Sequence, residues 1–196
     1  MKANETAILL IEFQKEFCSE DGILYGLVKD QLEGVIPRTA KLVEEARRKG
    51  CLIVHIPISF SEDYKELGNP TGILKAVVDS GAFKKGSKGV EWVDELKPAP
   101  EDIVVEGKKT IGAFASTNLD FILRSRGIKN VAVTGFITNF CVESTVREAY
   151  DRGYNVVVIK DCTVARSEEE QKFAEERIFP AFGEVLTHEE FLNKLE

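Results

Sequence analysis

The sequence predicts a three-layer α/β/α sandwich around a six-stranded, mostly parallel sheet. Three observations carry that expectation. Four short runs, residues 7–11, 51–56, 130–134 and 155–159, are continuously apolar, as strands covered on both faces are. Amphipathic helical patterns lie between them. The resulting alternation of strand and helix is the pattern that builds parallel βαβ units.

In chain order, the strand at 7–11 leads through Glu12 into a loop and then a helix over 31–49. That helix places Leu32, Val35, Ile36, Thr39, Leu42, Val43 and Ala46 on one face and stops at Gly50. After the second strand, residues 59–100 fit no ordinary connection. They hold several Gly and Pro residues around helical pieces at 73–78 and 90–96, and read as an insert or lid beyond a strand's carboxyl end. A short strand at 103–105 follows, then a helix over 117–126 that stops at Gly127. The strand at 130–134 feeds a helix over 141–152 that stops at Gly153. The strand at 155–159, a helix over 168–178, a strand at 183–186 and a helix starting at His188 complete the chain. There is no internal repeat, and one domain spanning 1–196 is expected.

The 196 residues carry a net charge of −7, which argues against a nucleic-acid partner, and no apolar run approaches a membrane span. Residues 1–6 lack a signal-peptide layout, so a cytoplasmic protein is expected. Cys18, Cys51, Cys141 and Cys162 form no C-x-x-C pair. With only His55 and His188 besides, each read as a lone structural histidine, no metal and no cofactor are expected.

Three strand ends carry polar residues that burial alone does not explain. Glu12 ends the first run, where a desolvated carboxylate suits a general base; its structural reading is a solvated or capping acid. Lys108 follows the strand at 103–105, either as a surface lysine or as a buried cation facing an anionic transition state. Cys141 opens a helix after the tight turn at Gly135. There the helix dipole and free N–H groups would lower a thiol's pKa and could form an oxyanion hole, whereas the ordinary reading is a buried structural cysteine.

Together these blocks resemble the isochorismatase-like cysteine hydrolases, which include nicotinamidases and carbamoyl-amide hydrolases. The segment from Ala7 through Glu12-Phe13-Gln14-Lys15-Glu16-Phe17 resembles the family's opening strand and D-x-Q-x-D/E-F stretch, with Glu12 where aspartate is usual. Lys108 followed by Gly112-Ala113-Phe114 resembles its second block, and Gly135 through Cys141-Val142-Glu143-Ser144-Thr145 to Tyr154 its third. The resemblance implies a Rossmann-like sheet and a catalytic set of Cys141 as nucleophile, Glu12 as acid/base and Lys108 as cation. It implies a non-proline cis peptide at Phe136–Ile137 and an oxyanion hole from the Ile137 and Cys141 N–H groups. It also implies cleavage of a C–N bond in a small amide, ureide or carbamoyl-type substrate through a thioester. The family's histidine-rich metal site has no match around His55.

Phe13, Phe60, Phe114, Phe136 and Phe140 are candidate walls of the substrate pocket, although core packing explains aromatics equally well. A homo-oligomer, a dimer or larger, is expected from the resemblance. Apolar insert residues such as Ile73, Val78, Phe83 and Trp92 add to that expectation, because a small lid would leave them exposed. A non-catalytic small-molecule binder or scaffold of the same fold is the alternative. A redox protein using Cys18 as resolving thiol is a third reading.

Overall fold

A computed structural model describes residues 1–196. Six strands form one sheet: β1 (Thr6–Ile11), β2 (Leu52–Ile56), β3 (Ile103–Val104), β4 (Asn130–Phe136), β5 (Asn155–Val164) and β6 (Gly183–Leu186). Their order is β3-β2-β1-β4-β5-β6 and every pairing is parallel. The helices are α1 (Lys15–Cys18), α2 (Val35–Lys49), α3 (Gly72–Ser80), α4 (Leu119–Ser125), α5 (Glu143–Asp151), α6 (Glu168–Phe173) and α7 (His188–Lys194).

Strand residues alternate between two cores. Ile8 and Leu10 of β1 face one cluster, with Leu42 and Ala46 of α2 and Phe191 and Leu192 of α7. Ala7, Leu9 and Ile11 face the other, with Leu119 and Leu123 of α4 and Val146 and Ala149 of α5. Burial on both faces is why these runs are continuously apolar.

The order reverses between β1 and β4, and in open parallel sheets the crevice beyond the carboxyl ends at that reversal is where ligands bind. At its brim β4 passes β1 so closely that a Cβ on Gly135 would lie 2.0 Å from the Ile11 carbonyl oxygen, and the residue holds φ +117°. Only glycine fits both conditions.

Several boundaries differ from the sequence reading. The second helix begins at Val35, because Gly34 takes a left-handed conformation (φ 73°) and residues 29–31 form a separate 3₁₀ turn. The helical piece expected at 90–96 is only two 3₁₀ turns, Lys88–Val90 and Asp94–Leu96. A π-type turn at Thr138–Val142 precedes α5, so Cys141 lies one turn before the regular helix.

The insert packs onto its own domain. Phe60, Ala82, Phe83, Val93 and Leu96 are buried in the core that β1 shares, while Ile73, Leu74, Val77 and Val78 of α3 are half-buried. The expectation that the insert leaves a large apolar patch uncovered is therefore corrected. No helix is long and apolar enough to cross a membrane.

Candidate active site

Glu12, Lys108 and Cys141 converge at the crevice. Glu12 leaves β1 in the left-handed region, φ 57°, which is uncommon for a residue with a side chain. Its N–H donates to the Ile56 carbonyl at 3.1 Å and its carbonyl accepts from Gln14 N–H at 2.7 Å, holding the turn. Lys108 Nζ donates to Glu12 Oε1 at 2.6 Å and to the Thr110 carbonyl at 2.7 Å. Each of the two charged residues is only 2% exposed, so the pair is sealed from solvent. Lys109 turns outward, with Nζ bound to the Ser59 carbonyl and 3.6 Å from Glu66.

Cys141 lines the same cavity as Glu12 and Ile137, and its thiol lies in the field of the Glu12 carboxylate and the Lys108 ammonium. The Phe136–Ile137 peptide is cis. Thr145 Oγ1 donates to the Cys141 carbonyl at 2.7 Å and accepts from Ala113 N–H at 3.1 Å, tying the cysteine's turn to the loop that carries Lys108.

The electrostatics differ from the sequence expectation in one respect. Burial, reinforced by the Glu12 charge, pushes the Cys141 thiol up to about 12, against the smaller lowering effects of Lys108 and the Ile137 N–H. The expected low-pKa thiolate is replaced by a neutral thiol held beside a carboxylate. Burial is the largest single effect on the Lys108 ammonium and opposes it, but Glu12, Cys141 and Glu148 together outweigh burial and hold its pKa above the ordinary lysine value.

Above these groups lies a cavity of about 110 Å³, walled by Phe17, Ile58, Leu74, Val77, Phe83 and Phe140 among others, with Glu12, Ile137 and Cys141 at its floor. Of the five aromatic wall candidates it takes Phe140 alone. Phe136 instead stacks on Phe17, with centroids 5.3 Å apart, and meets Phe13 edge-on. Phe60 packs on Tyr64, and Phe114 packs on Tyr154 in the opposite core. Those four serve the core because their backbone positions aim them away from the crevice. The walls that replace them are mostly aliphatic residues of α3 and the loop after α1, a choice without motif or periodic signal.

Neither histidine joins the site. His55 Nε2 lies 3.2 Å from Oδ2 of Asp102, whose two carboxylate oxygens accept a bidentate contact from Arg47, while His55 Nδ1 has no partner. Burial holds its pKa below the usual value. His188 Nδ1 lies 2.7 Å from Asp161. No group of three or more His, Cys, Asp or Glu side chains is placed to hold a metal ion.

Comparison with known proteins gives this geometry its family. The Isochorismatase domain profile matches residues 6–190. Ureidoacrylate amidohydrolase RutB of Agrobacterium fabrum is 32% identical over 177 residues, covering 83% of this chain and 77% of the relative. A cysteine hydrolase from Pseudomonas syringae pv. phaseolicola superposes with a TM-score of 0.87 at 27% identity, covering 98% of this chain and 93% of that one. N-carbamoylsarcosine amidase from Thermoplasma acidophilum gives 0.73 at 27% identity, over 96% and 97% of the two chains. A carboxylate, a buried ammonium and a thiol at the carboxyl end of a parallel sheet thus accompany a match along nearly the whole sequence, and the chain belongs to the isochorismatase family as one of its hydrolases.

Proposed function

We propose that this protein cleaves a C–N bond of a small amide, ureide or carbamoyl-type substrate with Cys141 as nucleophile. The observation that carries the reading is that Cys141 and the Lys108-paired Glu12 carboxylate line one cavity at the carboxyl end of the sheet. Glu12 takes the thiol proton as sulfur attacks the carbonyl, so the thiolate exists only as the C–S bond forms. The Ile137 and Cys141 N–H groups hold the oxyanion. Glu12 then gives its proton to the departing nitrogen, the C–N bond breaks, and an amine and a thioester remain. Water deprotonated by Glu12 attacks the thioester, releasing the acid and restoring the thiol. Lys108 keeps its proton throughout and offsets the negative charge shared by Glu12 and sulfur. The amidohydrolase and amidase relatives support the bond type.

The test is release of ammonia or amine from a panel of small amides, ureides and carbamates, with acyl-enzyme captured on Cys141 by mass spectrometry. Turnover that vanishes in Cys141→Ala, with a mass increment on Cys141 in the wild type, is expected. Turnover that persists in Cys141→Ala would refute the assignment. Saturable binding without turnover anywhere in the panel would favour the non-catalytic binder.

A cytoplasmic setting and a homo-oligomer belong to the same proposal. Four unpaired cysteines suit a reducing compartment. With the insert packed down, the support for assembly moves to the exposed Phe121, Tyr150 and Phe173 on the outer helices. Sedimentation equilibrium decides it, since a single species at 21.8 kDa refutes the oligomer.

A further inference from the structure

The cavity wall offers hydrocarbon and no charge. Apart from Glu12 and Cys141, every residue lining it is apolar, including Leu24, Leu27, Ile73 and Ile111 alongside the walls already described. Lys108, Lys109 and Arg166, which border lining residues or the Phe140 ring, are each matched. Lys108 is bound to Glu12 and the Thr110 carbonyl. Lys109 is bound to the Ser59 carbonyl and faces Glu66. Arg166, whose guanidinium lies 5.0 Å from the centre of the Phe140 ring, is paired with Glu170. None of the three lines the cavity. A carboxylate or phosphate on the substrate would shed its water and find no counter-charge, a penalty of orders of magnitude in affinity. An alkyl or aryl group would displace water from a surface that binds it poorly.

Resting on the hydrolase reading above, we propose that the substrate is an uncharged amide bearing a hydrocarbon substituent, and that the site rejects amides that carry a carboxylate or phosphate. The size follows from the volume. An apolar cavity of ~150 Å³ admits benzene, so about 110 Å³ takes a substituent of about four to five carbon atoms. Leu74 and Val77, both on α3, stand where a cation would be needed to reverse this preference.

An isosteric pair tests the proposal: 4-methylpentanamide against succinamate, which replaces the terminal isopropyl group by a carboxylate. Ammonia release should give the neutral amide a kcat/KM at least about 100-fold higher. From acetamide to pentanamide it should rise about fourfold per methylene, the transfer gain of one CH₂. Leu74→Arg should narrow the isostere ratio at least about tenfold, the low end for a gained charge pair, and Val77→Lys serves if that variant does not fold. Equal or better turnover of succinamate by the wild type, or a flat alkyl series, would overturn the proposal. Calorimetric binding of the same two compounds to Cys141→Ala separates the two readings. If neither is hydrolysed and the wider panel of amides, ureides and carbamates also gives no turnover, the hydrolase reading falls. Binding of 4-methylpentanamide alone then still sustains the apolar pocket, and binding of succinamate sinks it.

Discussion

Replacing Glu12 by Gln separates a base from a merely structural carboxylate, because it moves two properties of Cys141 in opposite directions. The amide keeps the shape of the side chain but removes the charge that now helps raise the Cys141 pKa, while Lys108, which lowers it, stays in place. Two unit charges 4 Å apart at an effective dielectric of 20 interact by about 4 kcal/mol. At ~1.4 kcal/mol per unit, that bounds the drop in the thiol pKa at about three units, and relaxation around the new amide brings it to about one to two. Alkylation of Cys141 by iodoacetamide at pH 8 should therefore become about tenfold faster or more, as thiolate replaces thiol. Turnover should fall by ~10²- to 10⁴-fold, the usual contribution of a general base. Losing the counter-charge of a buried ammonium should also cost about 3–5 kcal/mol of stability, read from urea unfolding. Glu12→Asp, which keeps the charge, should recover part of the turnover and reverse the gain in alkylation. If alkylation in Glu12→Gln stays unchanged or slows in step with turnover while the protein remains folded, Glu12 is not the base that governs this thiol.

Lys108→Met should have the opposite effect on the thiol: with the ammonium gone, labelling of Cys141 slows, turnover drops, and urea unfolding reports a loss of about 3–5 kcal/mol. Stability should also depend on alkaline pH through Cys141. Its folded pKa, about 12, lies above the ~8.5 of an exposed thiol. The folded state therefore binds more protons than the unfolded one between those values, and stability falls as pH rises through that window. Cys141→Ala removes this contribution and should flatten the decline by up to ~1.4 kcal/mol per pH unit, measured as urea midpoints from pH 8.5 upward; an unchanged slope would refute the raised pKa. Gly135→Ala should cost roughly 3 kcal/mol, because the new Cβ meets the Ile11 carbonyl and the backbone is left-handed, and a urea midpoint equal to the wild type would show that β4 can move away.

The succession of strands along the chain and the three polar strand ends were legible because both-face burial leaves continuous apolar runs, and a charged residue at the end of such a run stands out. What escaped the sequence depends on facing. Lys108 and Lys109 are neighbours with no pattern to rank them; folding puts one against Glu12 and the other on the Ser59 carbonyl. Phe136 precedes the turn that carries the cysteine, yet its ring points into the core with Phe13 and Phe17, while Phe140 reaches the cavity. The helix start near Cys141 could be read from Gly135 and the periodicity beyond it. The thiol's burial and the Glu12 charge beside it could not, and those two effects outweigh the lowering effects of Lys108 and the Ile137 N–H in setting its pKa.

The segment after β1 couples the chemistry to the shape of the cavity. Three residues spaced two apart divide the work. Glu12 meets Lys108 and the thiol. Gln14, fully buried, donates to the carbonyls of Ile58 and Val90 at 3.0 Å and accepts from Ile58 N–H at 2.9 Å, joining the end of β2 to the far part of the insert. Glu16 accepts from the N–H groups of Ile23 and Phe83, each at 2.8 Å, and so fixes the loop after α1 and the stretch behind α3. Leu24, Ile58 and Phe83, which adjoin those anchored groups, all line the cavity. A buried polar side chain whose bonds are all made is costly to move, since each broken bond leaves a desolvated group behind. The cavity wall is therefore tied by hydrogen bonds to the same segment that carries Glu12. Substrate fit and base position are consequently set together: a change that loosens Gln14 or Glu16 shifts the wall and the carboxylate at once.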